Sequence, residues 1–161
     1  MAKPSTSLHR SLRVVAGLVG LCAVVALPER AQSATRDPQV PPKQLISPEE
    51  LRRLLASQQP LLLYVGFRSM YQQAHIPGSE YAGATNSPEG LDALRAHVKS
   101  QPKDTLIVIY CGCCPWERCP NIRRAYRELR ELGYTNIRVL YIANNFGADW
   151  VDKSYPTVKG E

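Results

Sequence analysis

Thr105-Leu106-Ile107-Val108-Ile109-Tyr110-Cys111-Gly112-Cys113-Cys114-Pro115-Trp116-Glu117-Arg118-Cys119-Pro120 is the stretch whose reading decides the fold. Residues 105–110 are apolar and largely β-branched, with no polar alternation. Such a run predicts a strand buried on both faces, as in a parallel sheet covered by helices. A loop holding four of the chain's five cysteines leaves the end of that strand. A helix from about Asn121 to Leu132 follows, with Ile122, Ala125, Tyr126, Leu129 and Leu132 as its apolar stripe and Gly133 as its stop. In open α/β sheets the carboxyl ends of strands are where ligands bind, and a helix N-terminus there favours an anion. Arg118 in the loop and Arg123 in the first helical turn add positive charge, which lowers a nearby thiol's pKa. Cys111 is therefore the candidate nucleophile. Arg118 and Arg123 are the candidate substrate-binding, thiolate-stabilising groups.

Working outward, Ser47-Pro48-Glu49-Glu50 opens a helix whose serine caps it, with proline at the first helical position and Glu50 completing a capping box. Leu51, Leu54 and Leu55 give that helix an apolar face. Leu61–Val65 reads as a buried strand, residues 75–79 (HIPGS) as a turn, and residues 81–85 as a weakly signalled small strand. A helix runs from Pro88 to about Lys99 through Leu91, Leu94 and Val98. Ile137–Tyr141 is another buried strand, and a short helical piece around residues 149–151 leads into a tail. Strands alternating with helices predict a small α/β domain with a mostly parallel sheet. No internal repeat is present.

Spacing alone leaves several readings of the cysteine loop open. Cys111 can be a covalent sulfur carrier. Cys111, Cys113, Cys114 and Cys119 can together hold a soft ion such as Zn²⁺ or Cu(I), or an iron–sulfur cluster. Two of the thiols can form a disulfide. A thioredoxin-like pair at Cys111 and Cys114 is disfavoured, because Pro115 and Pro120 separate it from the helix and the cysteines come late in the chain.

The N-terminus carries Lys3, Arg10 and Arg13 ahead of an uncharged apolar run, residues 14–27. That run suits a signal-peptide core and is shorter than the about 20 residues needed to cross a bilayer. Ala31-Gln32-Ser33 supplies small residues for cleavage before Ala34. A lipid anchor at Cys22 is disfavoured because Leu21 is not small. We therefore expect export to the periplasm or the extracellular space, with a retained N-terminal anchor as the alternative. Residues 1–33 are then a targeting segment, residues 34–43 (ATRDPQVPPK) a flexible linker and residues 44–160 the domain. The formal charge of +6 on 161 residues halves once residues 1–33 are set aside. The richest basic stretch, Arg118, Arg123, Arg124, Arg127 and Arg130, is interleaved with Glu128 and Glu131. It reads as a solvated helix face rather than a nucleic-acid surface.

From about Leu45 to Gly160 the pattern resembles the rhodanese-like domain. The pieces, in order, are the SPEELRRLL helix (47–55), a strand, and AHIPGSEYAGA (74–84) in place of the family's G-H-I-P-G-A turn. The apolar strand ending in Tyr110-Cys111, a loop with its amphipathic helix, and the closing residues 139–160 complete the series. The resemblance implies a five-stranded parallel sheet flanked by helices, with Cys111 as the catalytic cysteine. It also implies sulfane-sulfur transfer, from thiosulfate or a persulfide to a thiol or cyanide acceptor, through a Cys111 persulfide and without a cofactor. The partners implied are a small sulfur compound or a thiol acceptor protein. Two departures stand out. The loop is longer than the family's, about ten positions from Cys111 to Asn121. The family's Asp-x-Arg after the first buried strand is replaced by Tyr64 and Gly66, with Arg68 as the nearby arginine. Thiols inside the loop make Cys113, Cys114 and Cys119 candidate resolving cysteines, which would release sulfide from the persulfide and leave a disulfide.

Among the remaining polar candidates, His75 is expected to order its turn rather than to react, and His97 to be solvated. Trp116 is expected to pack against the domain, and Asp149 and Asp152 to lie on the surface. Glu117 is a weak candidate proton acceptor.

Overall fold

The computed structural model describes residues 40–160; the expected targeting segment and residues 34–39 of the expected linker lie outside them. A five-stranded sheet runs in the order β1-β5-β4-β2-β3. Its strands are β1 (Leu45–Ile46), β2 (Leu61–Tyr64), β3 (Glu80–Tyr81), β4 (Ile107–Tyr110) and β5 (Ile137–Leu140). Every pairing is parallel. β4 is central and fully buried along its length, as the unbroken apolar run predicts.

Alternation along the strands divides the core between the two faces of the sheet. Leu63, Val65, Ile107, Ile109, Cys111 and Val139 pack with Leu94, Val98, Ile122, Ala125 and Leu129. These last come from α3 (Pro88–Val98) and α4 (Pro120–Glu131). Leu62, Tyr64, Val108, Tyr110 and Leu140 face the other way, onto Leu51, Tyr71, Phe146 and Trp150. α1 (Pro48–Ser57) carries Leu51, and the short α2 (Arg68–Gln73) carries Tyr71. The capping box is present in full: Glu50 N–H donates to Ser47 Oγ at 3.2 Å, and Ser47 N–H to Glu50 Oε2 at 2.8 Å. The helical piece near residue 149 is a single π-helical turn, Gly147–Val151.

Three features differ from expectation. The linker does not extend to residue 43. Val40 is 9% exposed in the core, Pro42–Gln44 forms a 3-10 turn, and Arg138 holds the Lys43 carbonyl. The domain therefore begins at least four residues earlier than expected, because Val40 covers apolar surface beside α4. The small strand is Glu80–Tyr81, not 81–85; its register opposite Leu63 and Tyr64 ends there. α2 is a helix the periodicity does not reveal. Six residues without a capping side chain give too short a pattern.

Candidate functional site

The nine residues from Cys111 to Cys119 leave the carboxyl end of β4 and return through a 3-10 turn, Trp116–Arg118, to the N-terminus of α4. The segment after β5 pins this long loop. Trp116 N–H donates to the Ile142 carbonyl at 3.1 Å, and Phe146 N–H to the Gly112 carbonyl at 3.3 Å. The Trp116 ring lies 5.4 Å from that of Tyr141, so Trp116 packs, as expected. Gly112 has a steric reason: a Cβ there would come within 2.3 Å of Phe146 Cβ.

The fold draws the cysteines together. Cys111, Cys113 and Cys119 bring their sulfurs within 4.8 Å of one another. Cys111 Sγ is 3.1 Å from Cys113 Sγ, which is 3.3 Å from Cys114 Sγ. All four cysteines are free thiols. Cys111 and Cys119 are buried, whereas Cys113 and Cys114 are half-buried. The Asn121 carboxamide donates to Cys113 Sγ at 3.6 Å and approaches Cys111 Sγ at 3.7 Å. Its carbonyl oxygen accepts from Asn86 N–H at 2.9 Å, which orients the amide.

Within this cluster Cys113 is the thiol whose pKa is held down. Cys113 accepts hydrogen bonds from Cys111 and Cys119, then from Cys114 and Asn121, and these hold its pKa far below the ordinary thiol range against the cost of burial. Cys111, as the donor to Cys113, is pushed up to about 12. Cys119 is raised by donating to Cys111 and Cys113 and by burial; Cys114 is raised by burial and then by Cys113 and Cys119. The cluster thus holds one thiolate shared out by its neighbours, in the way hydrogen bonds to a charged form stabilise it.

Both arginines lie on the exposed side of the loop. Arg123 donates to the Glu117 carbonyl at 2.6 Å on the exposed side of the loop. Beside it lies a groove also lined by Trp116, Glu117 and Tyr141. Arg118 is exposed, and its carbonyl accepts from Cys114 Sγ at 3.8 Å. Arg68 stacks over the Tyr81 ring at 4.3 Å.

A cavity of about 940 Å³ opens beside the cluster, with Tyr64, Met70, Ala74, Gly112, Cys113 and Phe146 in its wall and Lys159 also lining it. Tyr64 and Cys111 meet at Gly66, where a Cβ would lie 2.7 Å from the Tyr64 hydroxyl and 2.9 Å from Cys111 Sγ. Sequence reasoning missed Asn121, the α2 wall and Lys159. Asn121 carried a signal: it lies one helical turn before Ala125 and two before Glu128 and Leu129, a carboxamide on the buried side of an amphipathic helix. His75 orders its turn as expected, stacked 3.8 Å from the Tyr71 ring with Nδ1 2.8 Å from the Tyr71 carbonyl. His97 is half-buried rather than solvated, 3.7 Å from Glu80. Asp149 is tied to Asn144, accepting from its N–H at 2.6 Å.

No curated protein matches the chain in sequence. Among solved structures, the rhodanese-like domain of the Alr3790 protein from Anabaena is 20% identical with a TM-score of 0.54, the match covering 72% of this chain and 79% of that one. A rhodanese-related protein from Thermoplasma volcanium is 18% identical with a TM-score of 0.51, covering 71% and 97%. A variant of EanB in complex with ergothioneine is 23% identical with a TM-score of 0.51, covering 72% of this chain and 28% of that one. These likenesses concern the fold. The family model for the rhodanese-like domain matches residues 47–141, from the cap of α1 to the end of β5. With that match spanning more than half of the sequence and a parallel five-stranded sheet of the same architecture beneath it, the chain belongs to the rhodanese-like domain family.

Proposed function

We propose that the protein transfers sulfane sulfur through a persulfide on Cys111. The observation that carries this reading is the Cys111–Cys113 pair, 3.1 Å apart at the end of the central strand and beside the cavity. Cys111 reacts as its thiolate, the form in which a cysteine is a nucleophile, with the Cys113 sulfur against it. The Cys111 thiolate attacks the outer sulfur of thiosulfate. An S–S bond forms on Cys111, the S–S bond of thiosulfate breaks, and sulfite leaves with the electron pair. An acceptor thiolate or cyanide then attacks the outer sulfur, and Cys111 departs as the thiolate. Where no acceptor arrives, Cys113 is placed to attack Cys111 Sγ, expelling sulfide and leaving a Cys111–Cys113 disulfide.

Thiocyanate formation from thiosulfate and cyanide by the reduced full chain tests the reading. Turnover abolished in Cys111→Ser is the expected result; turnover unaffected by that substitution contradicts it.

A second reading is favoured by one specific observation, the three sulfurs of Cys111, Cys113 and Cys119 within 4.8 Å of one another. Three thiols without a histidine or carboxylate fit a soft ion such as Cu(I) or Zn²⁺. Cys114 belongs to this donor set only by adjacency to Cys113, since its sulfur lies outside the group of three. Metal analysis of protein purified under reducing conditions separates the readings. About one ion per chain, lost in Cys119→Ser, favours the metal site; metal-free protein that turns over favours the transferase.

A further inference from the structure

We infer that the Tyr64 hydroxyl is the hydrogen-bond donor for the outer sulfur of the Cys111 persulfide, and that Gly66, by lacking a side chain, lets the two groups stand close enough for it. This rests on the persulfide reading above and names the group that binds its intermediate.

Tyr64 is 1% exposed, and its hydroxyl makes no hydrogen bond of full geometry; the Gly112 N–H faces its oxygen as a weak donor, which leaves the O–H itself without an acceptor. The other buried tyrosines with hydroxyls at comparable depth are all satisfied. Tyr71 donates to the Ser79 carbonyl at 2.6 Å, and Tyr110 meets Ser79 Oγ at 2.7 Å. Tyr126 is bonded to Gln44 and Tyr134 to the Val98 carbonyl. A buried hydroxyl left without a partner costs about 1–3 kcal/mol, so an unpaired one beside a reactive thiol calls for a ligand. The ring is not free to seek a partner elsewhere. It is wedged edge-on against Tyr110 at 5.1 Å and lies 5.5 Å from Tyr71.

What the hydroxyl faces is sulfur. One point off Gly66 lies within 2.9 Å of both the Tyr64 hydroxyl and Cys111 Sγ. A second sulfur bonded to Cys111 extends about 2 Å from Sγ, far enough to come within hydrogen-bond reach of the Tyr64 hydroxyl when it points toward it. The outer sulfur of a persulfide is an anion, and a hydrogen bond to an anion is among the stronger ones. Burial and the adjacent Cys111 and Cys113 push the Tyr64 phenol well above its ordinary range, so it keeps its proton and serves as a fixed donor. No proton is transferred; the O–H is oriented at the charge that attack on the donor creates. In the thiol state of Cys111 the O–H has no acceptor in good geometry.

The test is an equilibrium titration. Reduced full chain is brought to equilibrium in buffers of varied thiosulfate-to-sulfite ratio, and the persulfidated fraction of Cys111 is read by mass spectrometry alongside the melting temperature. Tyr64→Phe removes only the oxygen. The expected result is that half-loading needs a ratio about tenfold higher than wild type, the size of one lost charge-assisted hydrogen bond, while the melting temperature stays level or rises. A purely structural role for the hydroxyl would lower the melting temperature and leave the ratio alone. Gly66→Ala, with Tyr64 intact, is expected to reduce loading at every ratio. A Tyr64→Phe loading curve that superimposes on wild type overturns the inference while leaving the persulfide reading standing. Wild-type protein that takes no sulfur on Cys111 at any ratio overturns both.

Discussion

Cys113 sits between an anion's ordinary cost of burial and four donors that offset it, and the donors prevail. Cys111, Cys119, Cys114 and Asn121 all act to hold its pKa down. Because thiolate, not thiol, reacts with alkylating agents, the pH profile of modification reads this directly. Alkylation of Cys113 is expected to continue on acidification to about pH 5, well below the ordinary thiol pKa of about 8.5. Cys114 and Cys119, whose pKa values are raised, are expected to react only in alkaline buffer. Replacing the amide donor by an acceptor reverses part of the effect. Asn121→Asp sets a carboxylate beside the sulfurs, and the modification pH of Cys113 is expected to move upward by at least one unit. A profile unchanged in Asn121→Asp contradicts the assigned donor. At this scale the sequence announced the thiols but not which of them holds the charge. Charge assignment depends on sulfur-to-sulfur distances of 3.1 and 3.3 Å, which the order of residues along a loop does not specify. The arginines are likewise placed by contacts the sequence does not show: the Arg123 guanidinium donates to the Glu117 carbonyl.

The site depends on two elements meeting at their ends, β4 delivering Cys111 and α4 delivering Cys119 and Asn121. Asn121 locks that junction. Its side chain receives Asn86 N–H, and its carbonyl accepts from Thr85 Oγ at 2.7 Å, both from the segment before α3. Thr85 is wholly buried. Thr85→Val is therefore expected to lose about 1–3 kcal/mol, the cost of stranding a buried acceptor, measured by urea unfolding, and to loosen the thiol cluster. The capping box of α1 is remote from the site and gives a control. Ser47→Ala is expected to cost about 1 kcal/mol of stability with sulfur transfer unchanged. The longer elements were legible because their patterns are long and punctuated: Ser-Pro-Glu-Glu for α1, the unbroken run for β4, and the Ile122–Leu132 stripe for α4. β1 and β3 hold two residues each and α2 six. Such pieces exist because neighbouring strands and packed rings hold them, a tertiary cause with no local periodicity.

Across the whole molecule, two apolar layers enclose one sheet, and the reactive loop is held where its central strand ends. Cys111 belongs to the layer under α3 and α4, and Tyr64 to the layer under α1 and α2. The site therefore forms only when both layers are assembled on the sheet. The order of elements, with the cysteine directly after the strongest strand, was enough to read the fold and the family from the residues. The partnership of Tyr64 with Cys111 was not, because it joins residues 47 positions apart through the side-by-side pairing of Tyr64 with Tyr110 in β2 and β4. The central claim is that sulfur is carried on Cys111 with the Cys113 sulfur against it. Peptide mapping by mass spectrometry, after brief reaction of the reduced full chain with thiosulfate and blocking of free thiols, tests it most directly. A mass gain of one sulfur on Cys111, absent in Cys111→Ser and replaced over time by a Cys111–Cys113 disulfide when no acceptor is added, is the predicted result. Sulfur found on Cys113, Cys114 or Cys119 while Cys111 stays unmodified would contradict it.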